Sequence, residues 1–84
     1  MTIYDYFGQV NIVGGRVKQR RTELGMTQEI LVAKLQTEGV DILQKSVSRI
    51  ETGDRIVTDY EVLSLAKVLK VDVMWLLTGE NPTR

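Results

Sequence analysis

Apolar residues recur along this chain at intervals of three and four positions, the spacing that gathers them on one face of an α-helix. Five such stretches follow one another between about residues 14 and 78, most of them bounded by a capping residue or a glycine. The pattern predicts an all-α fold with about five helices. We expect residues 13–80 to form this domain, residues 1–12 an N-terminal aromatic extension and residues 81–84 a frayed tail.

A short turn separates the first two predicted helices. The first runs from about Gly14 to Leu24, and Gly25 ends it in the left-handed conformation that glycine adopts at little cost. Thr27 is a good N-cap for the second, which continues to about Gln36. The apolar residues at helical spacing that we expect in the core are Val13, Val17, Leu31, Val32 and Leu35.

A connection over residues 36–43 leads to the third predicted helix, at about residues 44–52. Gly39 breaks the preceding helix, and Asp41 with Gln44 three residues later resembles a capping box. The apolar residues of the third helix that should face the core are Val47 and Ile50. Its polar residues then lie on the other faces: Gln44, Lys45, Ser48, Arg49 and Thr52.

The last two predicted helices have clear starts. Thr58 and Glu61 form a capping box before the fourth, and Asp72 caps a short fifth helix that Gly79 ends. The apolar residues that should pack inside are Leu63, Ala66, Val68, Leu69, Met74, Trp75, Leu76 and Leu77.

The first twelve residues fit neither a helix nor a strand, although they contain three of the five aromatic residues, Tyr4, Tyr6 and Phe7. Such a segment should pack against apolar surface. Two alternatives remain open: it packs on the core of its own chain, or it packs across a dimer interface.

The composition excludes several classes of protein. A chain of 84 residues forms one domain. It contains no Cys and no His, which removes disulfides, zinc sites and Ser-His or Cys-His catalysis. No cofactor motif is present, so we expect neither a cofactor nor an enzyme.

No apolar run approaches the roughly 20 residues that span a bilayer, and the N-terminus lacks the pattern of a signal peptide. We therefore expect a cytoplasmic protein without membrane contact.

The charge balance gives little support to nucleic-acid binding. The 11 basic and 11 acidic residues cancel, whereas nucleic-acid-binding domains are usually basic. Residues 16–55 contain eight of the 11 cations but also six of the 11 acids. A basic surface must therefore come from folding that separates the two signs.

Three segments, taken in order, resemble the Cro and lambdoid-repressor (XRE-type) family of helix-turn-helix domains. They are MTQ at 26–28, VSRIE at 47–51 followed by Gly53, and VDVMWLLTG at 71–79. The resemblance covers roughly residues 13–80 and implies a compact bundle of about five helices. It implies a sequence-specific transcriptional regulator, a repressor that binds a pseudo-palindromic operator in double-stranded DNA as a homodimer.

In such a domain the second helix crosses the DNA backbone, and the third enters the major groove with its N-terminal residues on base edges. The resemblance thus implies base contacts from Gln44, Lys45, Ser48 and Arg49. It implies phosphate contacts from Thr27, Gln28, Ser46 and Arg55. Gln28 is also placed to brace Gln44, and we expect Glu51 to pair with a cation of the first or second helix. Weaker candidates for DNA contact are Arg16, Arg20, Arg21 and Lys34.

Four features depart from the family pattern. The connection between the second and third helices is about five residues longer than usual, and it either reaches toward a phosphate or bulges into solvent. Leu43 stands where the family favours Ser or Thr, Val32 where a small Ala is usual, and Val57 where Pro is common. We expect these changes to affect the docking angle of the third helix more than the fold.

The same fold also serves in antitoxins, which neutralise a partner protein. The alternative function is therefore an antitoxin-like protein-interaction module whose aromatic N-terminus binds the partner.

Overall fold

Five helices follow one another in the part of the chain that the computed structural model describes, residues 6–81. They are α1 (Gly14–Glu23), α2 (Gln28–Thr37), α3 (Gln44–Glu51), α4 (Asp59–Leu69) and α5 (Val73–Thr78). This confirms the predicted all-α bundle. None of these helices is long and apolar enough to cross a membrane. Tyr4 and most of the predicted frayed tail lie outside the described residues.

Local capping sets the start of three helices, as predicted. The hydroxyl of Thr27 accepts a hydrogen bond from the backbone N–H of Ile30 at 3.1 Å. Thr58 and Glu61 form the reciprocal capping box of α4. Asp72 caps α5 by accepting a hydrogen bond from the backbone of the second residue of that helix at 2.7 Å. Each interaction satisfies an N–H group that the helix itself leaves unpaired.

The connection between α2 and α3 does not follow the prediction. The N-cap of α3 is Leu43, and no side chain caps it, so the predicted capping role of Asp41 is wrong. The reason is tertiary: Val40 and Ile42 are both buried in the core, and the residues between and after them point outward. The longer connection therefore neither bulges freely into solvent nor extends away from the domain, because two side chains anchor it.

All five helices contribute to one core. Its fully buried members are Val13, Val17, Leu31, Leu35, Val40, Ile42, Val47, Ile50, Leu65, Ala66, Leu69 and Leu76. Trp75 and Leu77 are only partly buried against this cluster. Leu63 and Met74, which we expected to pack inside, are exposed on α4 and α5.

The start of α1 lies directly against the end of α3. A Cβ atom at Gly14 would overlap the backbone carbonyl of Ile50, so no side chain fits there. Asn11 joins the same region. Its Nδ2 donates to the carbonyls of Ile50 at 3.1 Å and Arg55 at 2.8 Å, and its Oδ1 accepts from the N–H of Gly14 at 2.8 Å. The end of the N-terminal extension, at Asn11, is thus tied to its own domain through a buried amide.

We expect Gly14→Ala to lower the free energy of unfolding by about 2 kcal/mol or more, because the added methyl group forces α1 away from α3. Gly15→Ala is the matched control, since a Cβ atom there meets open space. Alanine favours a helix over glycine, so this control should raise stability by about 0.5–1 kcal/mol. Urea unfolding of both variants measures the difference, and equal effects would contradict the close packing.

Candidate nucleic-acid interface

Helix α3 has one buried side and one polar, accessible side. Val47 and Ile50 are buried, whereas Gln44, Lys45 and Arg49 are exposed. Residues four apart are neighbours on a helix, so Gln44 lies beside Ser48 and Lys45 beside Arg49. The structure therefore brings all four predicted base-contacting residues onto one surface, hereafter the α3 polar face. Ser48 is half-buried at its edge.

The α3 polar face carries positive charge. Within residues 6–81, neither Lys45 nor Arg49 has a carboxylate partner, and Arg49 donates only to the backbone carbonyl of Asp54 at 3.3 Å. Lys45 occupies the first turn of α3, where the helix macrodipole disfavours a cation. Both charges are therefore available to an anionic ligand.

A hydrogen-bond network fixes this face relative to the other helices. Glu51, at the end of α3, accepts two hydrogen bonds from the guanidinium of Arg21 on α1, at 2.6 and 3.0 Å. The amide of Gln28 on α2 donates to the same carboxylate at 3.0 Å. Gln44 in turn donates to Gln28 at 3.4 Å, as expected. We call these four residues the Glu51 network; it confirms that Glu51 pairs with a cation of the first helix.

The ion pair at the centre of the network is largely removed from water. The side chains of Arg21 and Glu51 are only 11% and 3% exposed. The hydrogen bonds to Glu51 raise the pKa of Arg21; burial opposes this rise and the attraction of the carboxylate adds to it. The guanidinium also donates to the carbonyl of Met26 at 2.8 Å, next to the start of α2. One arginine thus holds α1, α2 and α3 together.

Two further cations of α1 are also bound internally. Arg16 donates to the carbonyls of Leu76 and Leu77 at 2.9 and 3.0 Å, and Arg20 donates to the carbonyl of Leu69 at 2.9 Å. These carbonyls lie near the C-terminal ends of α5 and α4, where cations are favourable. The structure therefore gives Arg16, Arg20 and Arg21 structural partners in the fold.

Arg55, a predicted phosphate contact, is paired with Glu61 by two hydrogen bonds of 3.0 and 3.1 Å. Burial acts to raise the pKa of Glu61, but hydrogen bonds from Arg55 and from the N–H of Thr58 together lower it. Glu61 also shifts the pKa of Arg55 upward through their hydrogen bonds. The pair holds the loop between α3 and α4, so the charge of Arg55 is partly neutralised.

The other predicted phosphate contacts lie at helix starts. Thr27 is exposed and caps α2, and Gln28 is half-buried in the Glu51 network. Ser46 is half-buried in the first turn of α3, and its hydroxyl has no hydrogen-bond partner within the described residues. Lys34, a weaker candidate, lies at the other end of α2.

Sequence reasoning missed Asn11 as a positioning residue. The amide of Asn11 donates hydrogen bonds to one carbonyl at the end of α3 and to another in the loop after it. These bonds help to set where α3 ends. The only available signal was a polar residue flanked by Val10 and Ile12. That signal did not indicate which backbone groups the amide would contact.

A sequence model described as helix-turn-helix matches residues 17–76. The match begins inside α1, includes α2, α3 and α4, and ends within α5. It therefore covers most of the chain and the whole α3 polar face. No curated protein matches the chain.

We expect Glu51→Ala to destabilise the domain by about 3–5 kcal/mol, because it leaves the largely buried guanidinium of Arg21 without a counterion. Glu23→Ala is the matched control. Glu23 forms an ion pair with Arg20 at 3.4 Å, but both side chains are much more exposed. Exposed pairs of this kind contribute about 0–1 kcal/mol. Thermal and urea unfolding measure the stability of both variants. Similar small losses of stability in the two would show that the buried ion pair does not hold the helices together.

Proposed function

Because the chain belongs to the Cro/C1-type helix-turn-helix family of DNA-binding regulatory domains, we propose that it is a sequence-specific transcriptional repressor whose α3 enters the major groove. The observation that carries the proposal is the α3 polar face. Among residues 6–81, its two cations have no carboxylate partner, and a buried ion pair holds the face in place. The DNA that we propose the protein binds is bacterial or phage DNA, so we expect the protein to act in the cytoplasm.

The side chains of this face suit the hydrogen-bonding groups of bases. Gln44 matches the donor and acceptor pair on adenine, whereas Lys45 and Arg49 match the two acceptors on guanine. Ser48 suits either type of group. We assign these four residues to base contacts. The hydrogen bond from Gln44 to Gln28 supports this role, because it restricts the amide before DNA binds.

Phosphate contacts come from the starts of α2 and α3. The first N–H groups of α2 and the helix dipole favour an anion beside Thr27 and Gln28. Ser46 contributes a hydroxyl near the start of α3 that has no hydrogen-bond partner in the described part of the chain. We assign Arg55 to the edge of the contact area, where it touches phosphate while remaining paired with Glu61.

Binding-site selection from random duplex DNA tests the proposal. We expect the wild-type chain to select a defined sequence. Gln44→Ala, Lys45→Ala and Arg49→Ala should each weaken binding by about 1–3 kcal/mol and relax the preference at one base pair. Lys67→Ala is the control, since this exposed lysine lies on α4 and pairs with Glu38. An unchanged selected site in all three α3 variants would refute the assignment.

We further propose that the repressor is a homodimer that contacts its operator through two α3 helices about one DNA turn apart or a multiple of that. An apolar groove between α4 and α5 supports this arrangement; Val62, Leu63, Val73 and Leu77 line it beside Asp59. Leu63 is 62% exposed there, and Met74 on α5 is exposed as well. Apolar surface of this kind is what a second copy would cover.

We expect Leu63→Lys to convert the dimer to a monomer, because a charge cannot be buried unpaired in an apolar contact. Phe7→Lys is the control, since Phe7 is exposed but does not line the groove. Sedimentation equilibrium measures the oligomeric state of both variants. A dimer that survives Leu63→Lys and dissociates with Phe7→Lys would place the interface at the N-terminal extension instead.

One observation favours a second function, the binding of a protein partner. Tyr6 and Gln9 close a tight turn through two backbone hydrogen bonds, and Phe7 at its tip is 90% exposed. The φ of Phe7 is +51°, a conformation that bulky residues rarely adopt. We propose that the aromatic ring binds such a partner. A purified partner that binds the wild type but not Phe7→Ser, without DNA, would support this function.

A further inference from the structure

Leu43 is an exposed apolar residue at the start of α3. It follows the buried Ile42, and its extended backbone (φ −102°, ψ 158°) turns successive side chains to opposite sides. Because Ile42 faces the core, Leu43 faces outward and is 66% exposed. Its side chain therefore adjoins the α3 polar face, directly before Gln44 and Lys45.

A leucine at this position does not help α3 to form. The N-cap favours Ser, Thr, Asp or Asn, which accept a hydrogen bond from the first turn. The caps of α2, α4 and α5 all follow this rule, whereas Leu43 offers no acceptor. In α3 the third N–H group, that of Ser46, donates to the backbone carbonyl of Leu43 at 3.0 Å and not to a capping side chain. Departures from local preference of this kind are expected where function requires a particular side chain.

We propose that Leu43 determines specificity by contacting the C5-methyl group of a thymine, next to the bases that Gln44 and Lys45 contact. Thymine presents a methyl group in the major groove, and apolar side chains distinguish it by covering that group. This inference rests on the proposed function and deepens it, because it adds an apolar contact to a face that otherwise recognises bases through hydrogen bonds.

Uracil differs from thymine only by the missing methyl group, so it provides the direct test. Each thymine of the selected site is replaced in turn by uracil, and affinities are measured for the wild type and for Leu43→Ala. We expect one position at which the replacement weakens wild-type binding about fourfold, the factor for burying one carbon group. Leu43→Ala should bind the two duplexes equally. Alanine is also a poor N-cap, so the start of α3 is not altered.

Two further variants separate recognition from folding. Tyr60→Ala removes a large side chain of similar exposure, 61%, on α4 outside the groove lining and should keep the fourfold preference for thymine. Leu43→Ser introduces a capping hydroxyl, so it should raise the melting temperature and still lose the preference.

The inference is overturned if the wild type binds a specific duplex but no uracil replacement weakens binding. It is equally overturned if Leu43→Ala keeps the preference, or if Leu43→Ala changes the oligomeric state, which would place the side chain between protein chains. Failure of the proposed function has a different signature: the wild type then selects no sequence at all, before any substitution is made.

Discussion

The position of α3 depends on a carboxylate buried where three helices meet. Apolar contacts from Val47 and Ile50 favour burial but have little directionality, so by themselves they allow α3 to slide or rotate. Glu51 removes this freedom, because a buried charge is tolerated only with its partners in place. Arg21 on α1 and Gln28 on α2 supply those partners at defined distances. These hydrogen bonds fix the position of α3 and therefore the orientation of the α3 polar face.

Both ends of α3 are also held from outside the helix. Before it, Val40 and Ile42 anchor the connection in the core, so the additional residues do not loosen the start of the helix. After it, Asn11 donates to the carbonyls of Ile50 and Arg55, and Gly14 permits the close approach of α1. The helix therefore projects its polar side chains from a rigid base, which limits the entropy lost when a ligand binds.

Local chemistry made much of this fold predictable. Helix starts at Thr27, Thr58 and Asp72 follow from interactions within three residues, and the burial of Val47 and Ile50 follows from helical spacing. Asp41 misled the prediction because the burial of its neighbours, a tertiary effect, overrode its capping preference.

The long-range partners of Asn11, Arg16 and Arg20 could not be predicted, since those carbonyls lie 39 to 61 residues away in the sequence. For the candidate site, helical periodicity predicted the polar face of α3, and the family resemblance predicted that this face contacts DNA. Neither indicated that Leu43 would be an exposed N-cap residue whose side chain forms no capping hydrogen bond.

The arginines bound inside the fold have a consequence for how such a regulator searches a genome. Affinity for arbitrary DNA comes from cations that displace counterions along the phosphates, and here Arg16, Arg20 and Arg21 are directed at carbonyls and Glu51 instead. Three of the 11 cations are thus directed into the fold, so under the proposed function we expect weaker contacts with arbitrary DNA. For the proposed repressor, this predicts that occupancy of its operator follows the amount of protein in the cell closely, with little buffering by bulk DNA.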